Sequence, residues 1–137
     1  MNSHRFSLNK REKLKSRQRI EQVFQEGKSL SLFPFKVWWL LQPAAPQKAA
    51  APSPVGPLQV GFGASSRHFK KAVDRNRIKR LGREAYRLQK HDLIRRLEAG
   101  GFCMAVFFIY TGKELPDHVT VSQKIGVILQ KLVKEVS

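Results

Sequence analysis

Two segments in which side chains alternate in polarity constrain the fold of this chain more than any other feature. The first runs from Leu30 to Gln42 and the second from Leu58 to Ser65. A period of two is typical of β-strands whose two faces differ in environment. Along the first strand one face carries Phe35, Val37 and Trp39, and the other carries Lys36, Trp38 and Leu40. Along the second, Leu58, Val60, Phe62 and Ala64 alternate with Gln59, Gly61, Gly63 and Ser65, so the second face is nearly bare.

The segment between these strands differs sharply in composition. Residues 43–57 read PAAPQKAAAPSPVGP and hold five of the seven prolines in the chain. Proline removes backbone donors and alanine offers little area to bury, so this composition favours a flexible loop over a core element. We therefore expect a hairpin whose connection is extended by this loop.

Three further patterns complete the order of elements. Ser16 is a suitable N-cap for a helix that ends at Gly27, where glycine tolerates the left-handed conformation. A long helix is expected from Asp74, acting as its cap, to about Leu97, followed by an apolar strand over residues 101–111. The chain closes with a helix whose apolar stripe consists of Val121, Ile125, Ile128, Leu132 and Val136.

The resulting order is helix, two or three strands, helix, strand and helix. Each element has an apolar face to bury, which predicts an α+β sandwich with helices packed on one small sheet. A chain of 137 residues, 42% of them hydrophobic, is large enough for one core and too short for a second full domain. We expect one domain over residues 1–137, with a basic N-terminal tail at about 1–15 and the loop at 43–57.

The charge balance points to a negatively charged partner. The chain has 26 Lys and Arg residues against 10 Asp and Glu, a formal net charge of +16. Such an imbalance destabilises a folded chain through self-repulsion, which a bound polyanion relieves.

The cations concentrate in one predicted helix. Residues 75–87 read RNRIKRLGREAYR, with six cations and a single acid, Glu84. On a helical wheel, one arc of about 80° gathers the residues expected to face the core, namely Ile78, Leu81, Ala85 and Leu88. The opposite arc has no acid and carries Arg75, Tyr86, Lys79, Arg83, Asn76, Arg87 and Arg80. A solvated face normally mixes signs, so this pattern favours a nucleic-acid face, with a plain solvated face as the alternative.

Several other classes of function are disfavoured. Cys103 is the only cysteine, so the chain can form no internal disulfide, and a reducing, cytoplasmic setting is expected. The longest apolar run, residues 32–41, contains Pro34 and Lys36 and is too short to cross a bilayer as a helix. The four histidines have no metal-ligand spacing, and no nucleophile or acid–base pair is evident. We expect no catalytic residues, no metal site and no small-molecule substrate in the protein itself.

At this point a family resemblance becomes visible. The pattern R-N-R-x-K-R-x-x-R-E from Arg75 to Glu84 follows a V-G-F strand and a basic turn, and VFQEGKS stands at the end of the first helix. This combination resembles the bacterial ribonuclease P protein family. The resemblance implies an αβββαβα two-layer sandwich with a left-handed βαβ crossover, whereas general handedness rules favour the right-handed one. It also implies a protein subunit that assists RNA-catalysed removal of the 5′ leader from precursor tRNA, with Mg²⁺ held through the RNA.

The resemblance also implies two binding sites. The partners would be the catalytic RNA subunit and precursor tRNA. The helix facing the catalytic RNA would present Arg75, Asn76, Arg77, Lys79, Arg80 and Arg83, to which the wheel adds Arg87. A cleft for the single-stranded leader would use Phe24 and Trp38, with Ser65 and Arg67 nearby. Trp38 would stack a nucleotide beside the bare floor of Gly61, Gly63 and Ser65.

Alternatives remain open from the residues alone. Phe24 and Trp38 can equally be core residues. The sequence departs from the family pattern at Ile20, where an aromatic residue is common, and at Gly63, where a small polar residue is common. A structural RNA-binding protein, such as a ribosomal protein, would have a similar charge and size. A helix lying on anionic membranes is disfavoured because the basic helix has only a narrow aliphatic stripe.

Overall fold

The computed structural model describes residues 13–14, 16–43 and 57–136, in which four helices and a four-stranded sheet are formed. Most of the predicted tail and of the Pro/Ala-rich loop therefore lies outside the described residues. The helices are α1 Arg17–Glu26, α2 Ala72–Gln89, α3 His91–Gly100 and α4 His118–Val136. The strands are β1 Lys28–Leu32, β2 Phe35–Pro43, β3 Leu58–Ala64 and β4 Phe102–Tyr110.

The predicted first helix is confirmed at both ends. Ser16 Oγ accepts a hydrogen bond from the Arg19 N–H at 3.4 Å, and the Gly27 N–H donates to the Val23 carbonyl. Gly27 is not left-handed, however, because its φ is −80°. Glycine is required there for space, since a Cβ would collide with the backbone carbonyls of Val23 and Trp39.

The strand order is β1-β2-β4-β3, so the predicted hairpin between β2 and β3 is wrong. The last strand in sequence, β4, lies between them, antiparallel to β2 and parallel to β3. The consecutive residues Met104, Ala105 and Val106 of β4 are all buried, so both of its faces are covered. A strand that is apolar on both faces is best placed at the centre of a sheet. The hand of the β3–α2–α3–β4 connection stays a prediction.

The two faces of the sheet bury different elements. The main core packs α2, α3 and α4 against alternate strand residues such as Val37, Val60 and Phe108, which confirms the predicted in–out pattern. The other face packs α1 in a smaller cluster around Leu14, Val23 and Ala105. Leu14 also donates its N–H to the Val60 carbonyl at 2.9 Å. No described helix is long and apolar enough to cross a membrane.

The long helix predicted from Asp74 to Leu97 is two helices. It begins at Ala72 with Lys71 as the N-cap, so Asp74 lies in the first turn and is not the cap. The two helices are separated at Lys90. This residue is only 5% exposed, and its Nζ lies 5.9 Å from the centre of the Tyr86 ring. After the break, α3 buries Leu93 and Leu97 fully. The predicted final helix is confirmed, because α4 buries all five residues of its apolar stripe.

Candidate RNA-binding faces

The core-facing side of α2 differs from the predicted arc. Its buried residues are Ile78, Gly82, Ala85 and Tyr86. Tyr86, predicted on the cationic side, is fully buried, whereas Leu88, predicted in the core, is 54% exposed. Helix α2 is therefore rotated about its axis so that Gly82 faces the sheet. Because Gly82 has no side chain, the helix can lie against Phe62. A Cβ there would stand 2.6 Å from Phe62 Cδ1.

The opposite side of α2 is exposed and strongly basic. We call this surface the α2 basic face and define it by Asn76, Arg77, Lys79, Arg80, Arg83 and Arg87. Arg77, Arg80 and Arg83 are exposed, and Lys79 is half-buried. Within the described part of the chain, none of these four cations forms an ion pair. Arg87 is partly neutralised, because its Nη2 lies 3.7 Å from Glu84 Oε1. The face thus carries four uncompensated positive charges.

Arg75 differs from the rest of the predicted motif because its guanidinium is hydrogen-bonded within the protein. It is half-buried, and its Nη1 donates to the carbonyls of Phe69 at 2.7 Å and Lys70 at 2.9 Å. These bonds tie the basic turn before α2 to the first turn of the helix. Part of the hydrogen-bonding capacity of Arg75 is therefore used inside the protein.

The second predicted site lies on the sheet face that carries α1. Trp38 on β2 pairs directly with Phe107 on β4, and Phe107 pairs with Gly61 on β3. The prediction that Gly61 and Gly63 form a floor beside Trp38 is therefore wrong. The ring of Phe107 occupies that space, so a Cβ on Gly61 would stand 2.7 Å from it and one on Gly63 3.3 Å.

Phe24, Trp38 and Phe107 form one aromatic cluster. The Phe24 ring centroid lies 4.9 Å from that of Trp38 and 5.4 Å from that of Phe107, both in edge-to-face geometry. Phe24 is 37% exposed, and the other two rings are half-buried. The exposed side chain of Lys36 places its Nζ 5.1 Å from the Trp38 ring centroid. The cluster packs under α1 and still offers aromatic surface to a ligand.

Phe107 was missed at the sequence level, although its position carried a usable signal. The sequence predicts one apolar strand over residues 101–111, but side chains alternate between the two faces in central strands too. Val106 and Phe108 face the main core and are buried, whereas Phe107 and Ile109 face the other way and are half-buried.

Ser65 and Arg67 lie just beyond β3, in the turn that leads to α2. Ser65 is half-buried, and its Oγ accepts a hydrogen bond from the Arg67 N–H at 3.1 Å. Arg67 is exposed, which leaves its guanidinium available to an anion. The ring contacts bring Phe24 and Trp38 together, whereas the part of Ser65 and Arg67 in the cleft stays a prediction.

The two surfaces differ in the chemistry they can perform. Guanidinium groups on α2 suit bidentate contacts with phosphates. Aromatic rings beside a lysine suit stacking of unpaired bases next to a phosphate. Among the described residues, no group of three or more His, Cys, Asp and Glu side chains is placed to hold a metal ion.

Comparison with known proteins gives one consistent family. The family model described as Ribonuclease P matches residues 8–133. A Porphyromonas gingivalis protein named Ribonuclease P protein component is 37% identical over 118 residues, 86% of this chain and 80% of that protein. One of the same name from Chlorobium phaeobacteroides is 32% identical and covers 94% and 90%. The RNase P protein from Thermotoga maritima superimposes with a TM-score of 0.65 at 25% identity, over 88% of this chain and 97% of that one. A Staphylococcus aureus RNase P protein shares the fold, with a TM-score of 0.62 at 16% identity over 88% and 94%.

Proposed function

This chain belongs to the ribonuclease P protein family, and from that premise we propose how its two surfaces divide the work of the holoenzyme. The family supplies the protein component of ribonuclease P, which acts in tRNA 5′ processing and in which the RNA subunit is the catalyst. The RNA subunit is thus one partner of this chain. We assign that partner to the α2 basic face and the 5′ leader of precursor tRNA to the aromatic cluster.

The assignment of the α2 basic face rests on its charge. Four cations lie on one side of a helix without a pairing acid in the described part of the chain. Like charges at i,i+4, such as Lys79 and Arg83, disfavour the free helix by a few tenths of a kcal/mol per pair. Phosphates remove that repulsion and release condensed counterions, which is the main source of affinity for a nucleic-acid backbone.

The assignment of the aromatic cluster rests on its geometry. Exposed aromatic rings bind unpaired bases without sequence preference, and each base contributes about 1–3 kcal/mol. Stacking beside a cation such as Lys36 requires no particular base sequence, so it suits a single-stranded leader better than base-specific hydrogen bonds would. Because the cluster and α2 pack on opposite faces of the sheet, both RNAs can be bound at once.

If the two surfaces only bind RNA, the chemistry of cleavage belongs to the RNA subunit. We propose that Mg²⁺ acts in the holoenzyme through RNA ligands, and that the protein supplies binding and orientation only. Precursor tRNA incubated with the purified protein and Mg²⁺ should then stay intact until the RNA subunit is added. We also propose a cytoplasmic location, in keeping with the free thiol of Cys103.

Salt dependence of RNA binding tests the central assignment. In Arg80→Gln/Arg83→Gln, we expect weaker binding to the ribonuclease P RNA and a slope of log K against log salt that is shallower by about 1.5, at roughly 0.7–0.9 per lost phosphate contact. The charge-matched control is Lys28→Gln/Lys113→Gln, because both lysines are exposed and lie outside the two surfaces. Equal slopes for variant and control would remove α2 from the RNA interface.

A further inference from the structure

A second basic surface lies in the helical layer, in a groove between α2 and α4. Its volume is about 830 Å³, and it is lined by Gln89 of α2 and by eight residues of α4, including Ser122, Lys131 and Lys134. The lining contains three lysines, three glutamines and a serine, with no acid. We call it the α2–α4 groove.

The side-chain amide of Gln89 links the two helices at the floor of the groove. Gln89 Nε2 donates to the carbonyls of Ala85 and Ser122, at 3.1 Å in each case, and so links α2 to α4. Gly126 makes room for this link, because a Cβ there would collide with Gln89 Oε1. The groove is therefore a defined feature of the helix packing.

The lysines of the groove carry uncompensated charge. Lys131 and Lys134 are exposed and Lys124 is half-buried. Over residues 13–14, 16–43 and 57–136, none of the three forms an ion pair. Glu135, which follows Lys134, lines a separate pocket beside Lys28. Lys124 and Lys134 are ten residues apart, so the three charges extend for about 15 Å along α4.

We propose that the α2–α4 groove binds the phosphodiester backbone of the ribonuclease P RNA and extends the α2 basic face onto α4. This inference rests on the function proposed for α2. Helix α2 supplies the basic face, and its last residue, Gln89, lines the groove, so one RNA can reach both surfaces. The aromatic cluster proposed for precursor tRNA lies across the sheet. Lysines, as flexible point charges, suit backbone contacts that carry no sequence information.

The test measures the salt dependence of binding to the ribonuclease P RNA for Lys131→Gln/Lys134→Gln. We expect weaker binding and a slope that is shallower by about 1.5, at roughly 0.7–0.9 per lost contact. The control is again Lys28→Gln/Lys113→Gln, which removes the same net charge. Lys131→Arg/Lys134→Arg should keep the original slope, which separates loss of charge from damage to α4. The preference for precursor over mature tRNA should stay unchanged.

The outcomes separate this inference from the function on which it rests. A shallower slope for Arg80→Gln/Arg83→Gln together with a control-like slope for the groove variant would overturn the groove alone. Control-like slopes for both would overturn both. A groove variant that changes only precursor preference would overturn the choice of ribonuclease P RNA as the occupant.

Discussion

At the scale of single residues, Gly82 lets α2 lie directly against Phe62. The Phe62 ring is stacked on Phe108, with centroids 4.8 Å apart and planes 12° from parallel, so it cannot easily move aside. A Cβ on residue 82 would stand 2.6 Å from Phe62 Cδ1. The helix packing therefore depends on the absence of one methyl group.

Gly82→Ala should destabilise the protein although alanine is the better helix former. Overpacking costs about 1–3 kcal/mol, against about 1 kcal/mol gained from helix propensity. Urea denaturation of the variant should show a lower midpoint, and Phe62→Leu in the same chain should recover part of the loss because it removes ring atoms near residue 82. A higher midpoint for Gly82→Ala would contradict the packing described here.

Single residues also show why the wheel of α2 was predicted with the wrong rotation. The prediction ranked residues by aliphatic character, which placed Leu88 inside and Tyr86 outside. Tyr86 is fully buried because its ring packs edge-on to Phe62 at 6.4 Å. Glycine contributes no hydrophobicity to a wheel, so Gly82 gave no signal that the helix turns its smallest residue to the sheet. The wheel nevertheless placed the cations correctly on the outer side, except that Arg75, which it also placed there, donates to the carbonyls of Phe69 and Lys70.

At the scale of elements, α4 begins at a carboxylate cap. Asp117 Oδ1 accepts a hydrogen bond from the Thr120 N–H at 2.7 Å. The pKa of Asp117 is lowered mainly by this backbone bond and further by a hydrogen bond to the Thr120 side chain, against a smaller opposing effect of desolvation. The cap therefore stabilises the ionised form of Asp117.

The stability contributed by this charge should depend on pH in one direction. Because the pKa of Asp117 is depressed in the folded state, its contribution is present above the unfolded pKa of about 4 and is lost as pH falls through the lower folded value. Asp117→Asn keeps a capping side chain but has no charge to lose. The Tm difference between wild type and Asp117→Asn should favour wild type at pH 7 and shrink below pH 4. A difference that is constant with pH would contradict the role of the charge.

The break between α2 and α3 could not be read from the sequence. Ala85, Gln89, Leu93 and Leu97 follow one another at intervals of four, so the positions that face the protein interior continue through the break without a change of phase. No glycine or proline marks Lys90, and its φ and ψ of −78° and −17° are close to helical. By contrast, the cap at Ser16 and the apolar stripe of α4 are local signals, and both elements were predicted correctly.

At the scale of the whole molecule, the order of strands in the sheet could not be predicted from local sequence patterns. The alternation in β2 and β3 fixed which residues face the core but not which strand lies between them. Insertion of β4 depends on pairings between residues far apart in sequence, such as Trp38 with Phe107. This arrangement determines the surface of the candidate cleft, because the residue beside Trp38 is Phe107 and not Gly61.

The net charge of +16 predicts how the free protein responds to salt. Self-repulsion is screened as the Debye length falls, from about 30 Å at 0.01 M to about 10 Å at 0.1 M salt. We expect the Tm of the free protein to rise by a few degrees over this range. Binding to the RNA should weaken over the same range, because counterion release favours it less. A Tm that falls with salt would contradict net repulsion in the folded state.

The central claim is that two RNAs bind on opposite faces of the sheet, and Trp38→Leu tests it most directly. Leucine keeps apolar packing under α1 but removes the aromatic surface. The matched control is Trp39→Leu, the adjacent tryptophan, which is 6% exposed in the main core. The measurement is the ratio of holoenzyme affinities for precursor and mature tRNA, taken beside the Kd for the ribonuclease P RNA.

For Trp38→Leu we expect the precursor preference to fall by roughly 5-fold or more, as loss of at least 1 kcal/mol of stacking implies, with the Kd for the ribonuclease P RNA kept within about 2-fold. Trp39→Leu should lower the Tm and leave the preference unchanged. An unchanged preference in Trp38→Leu, or equal losses in both RNA interactions, would contradict the assignment of the leader to the aromatic cluster.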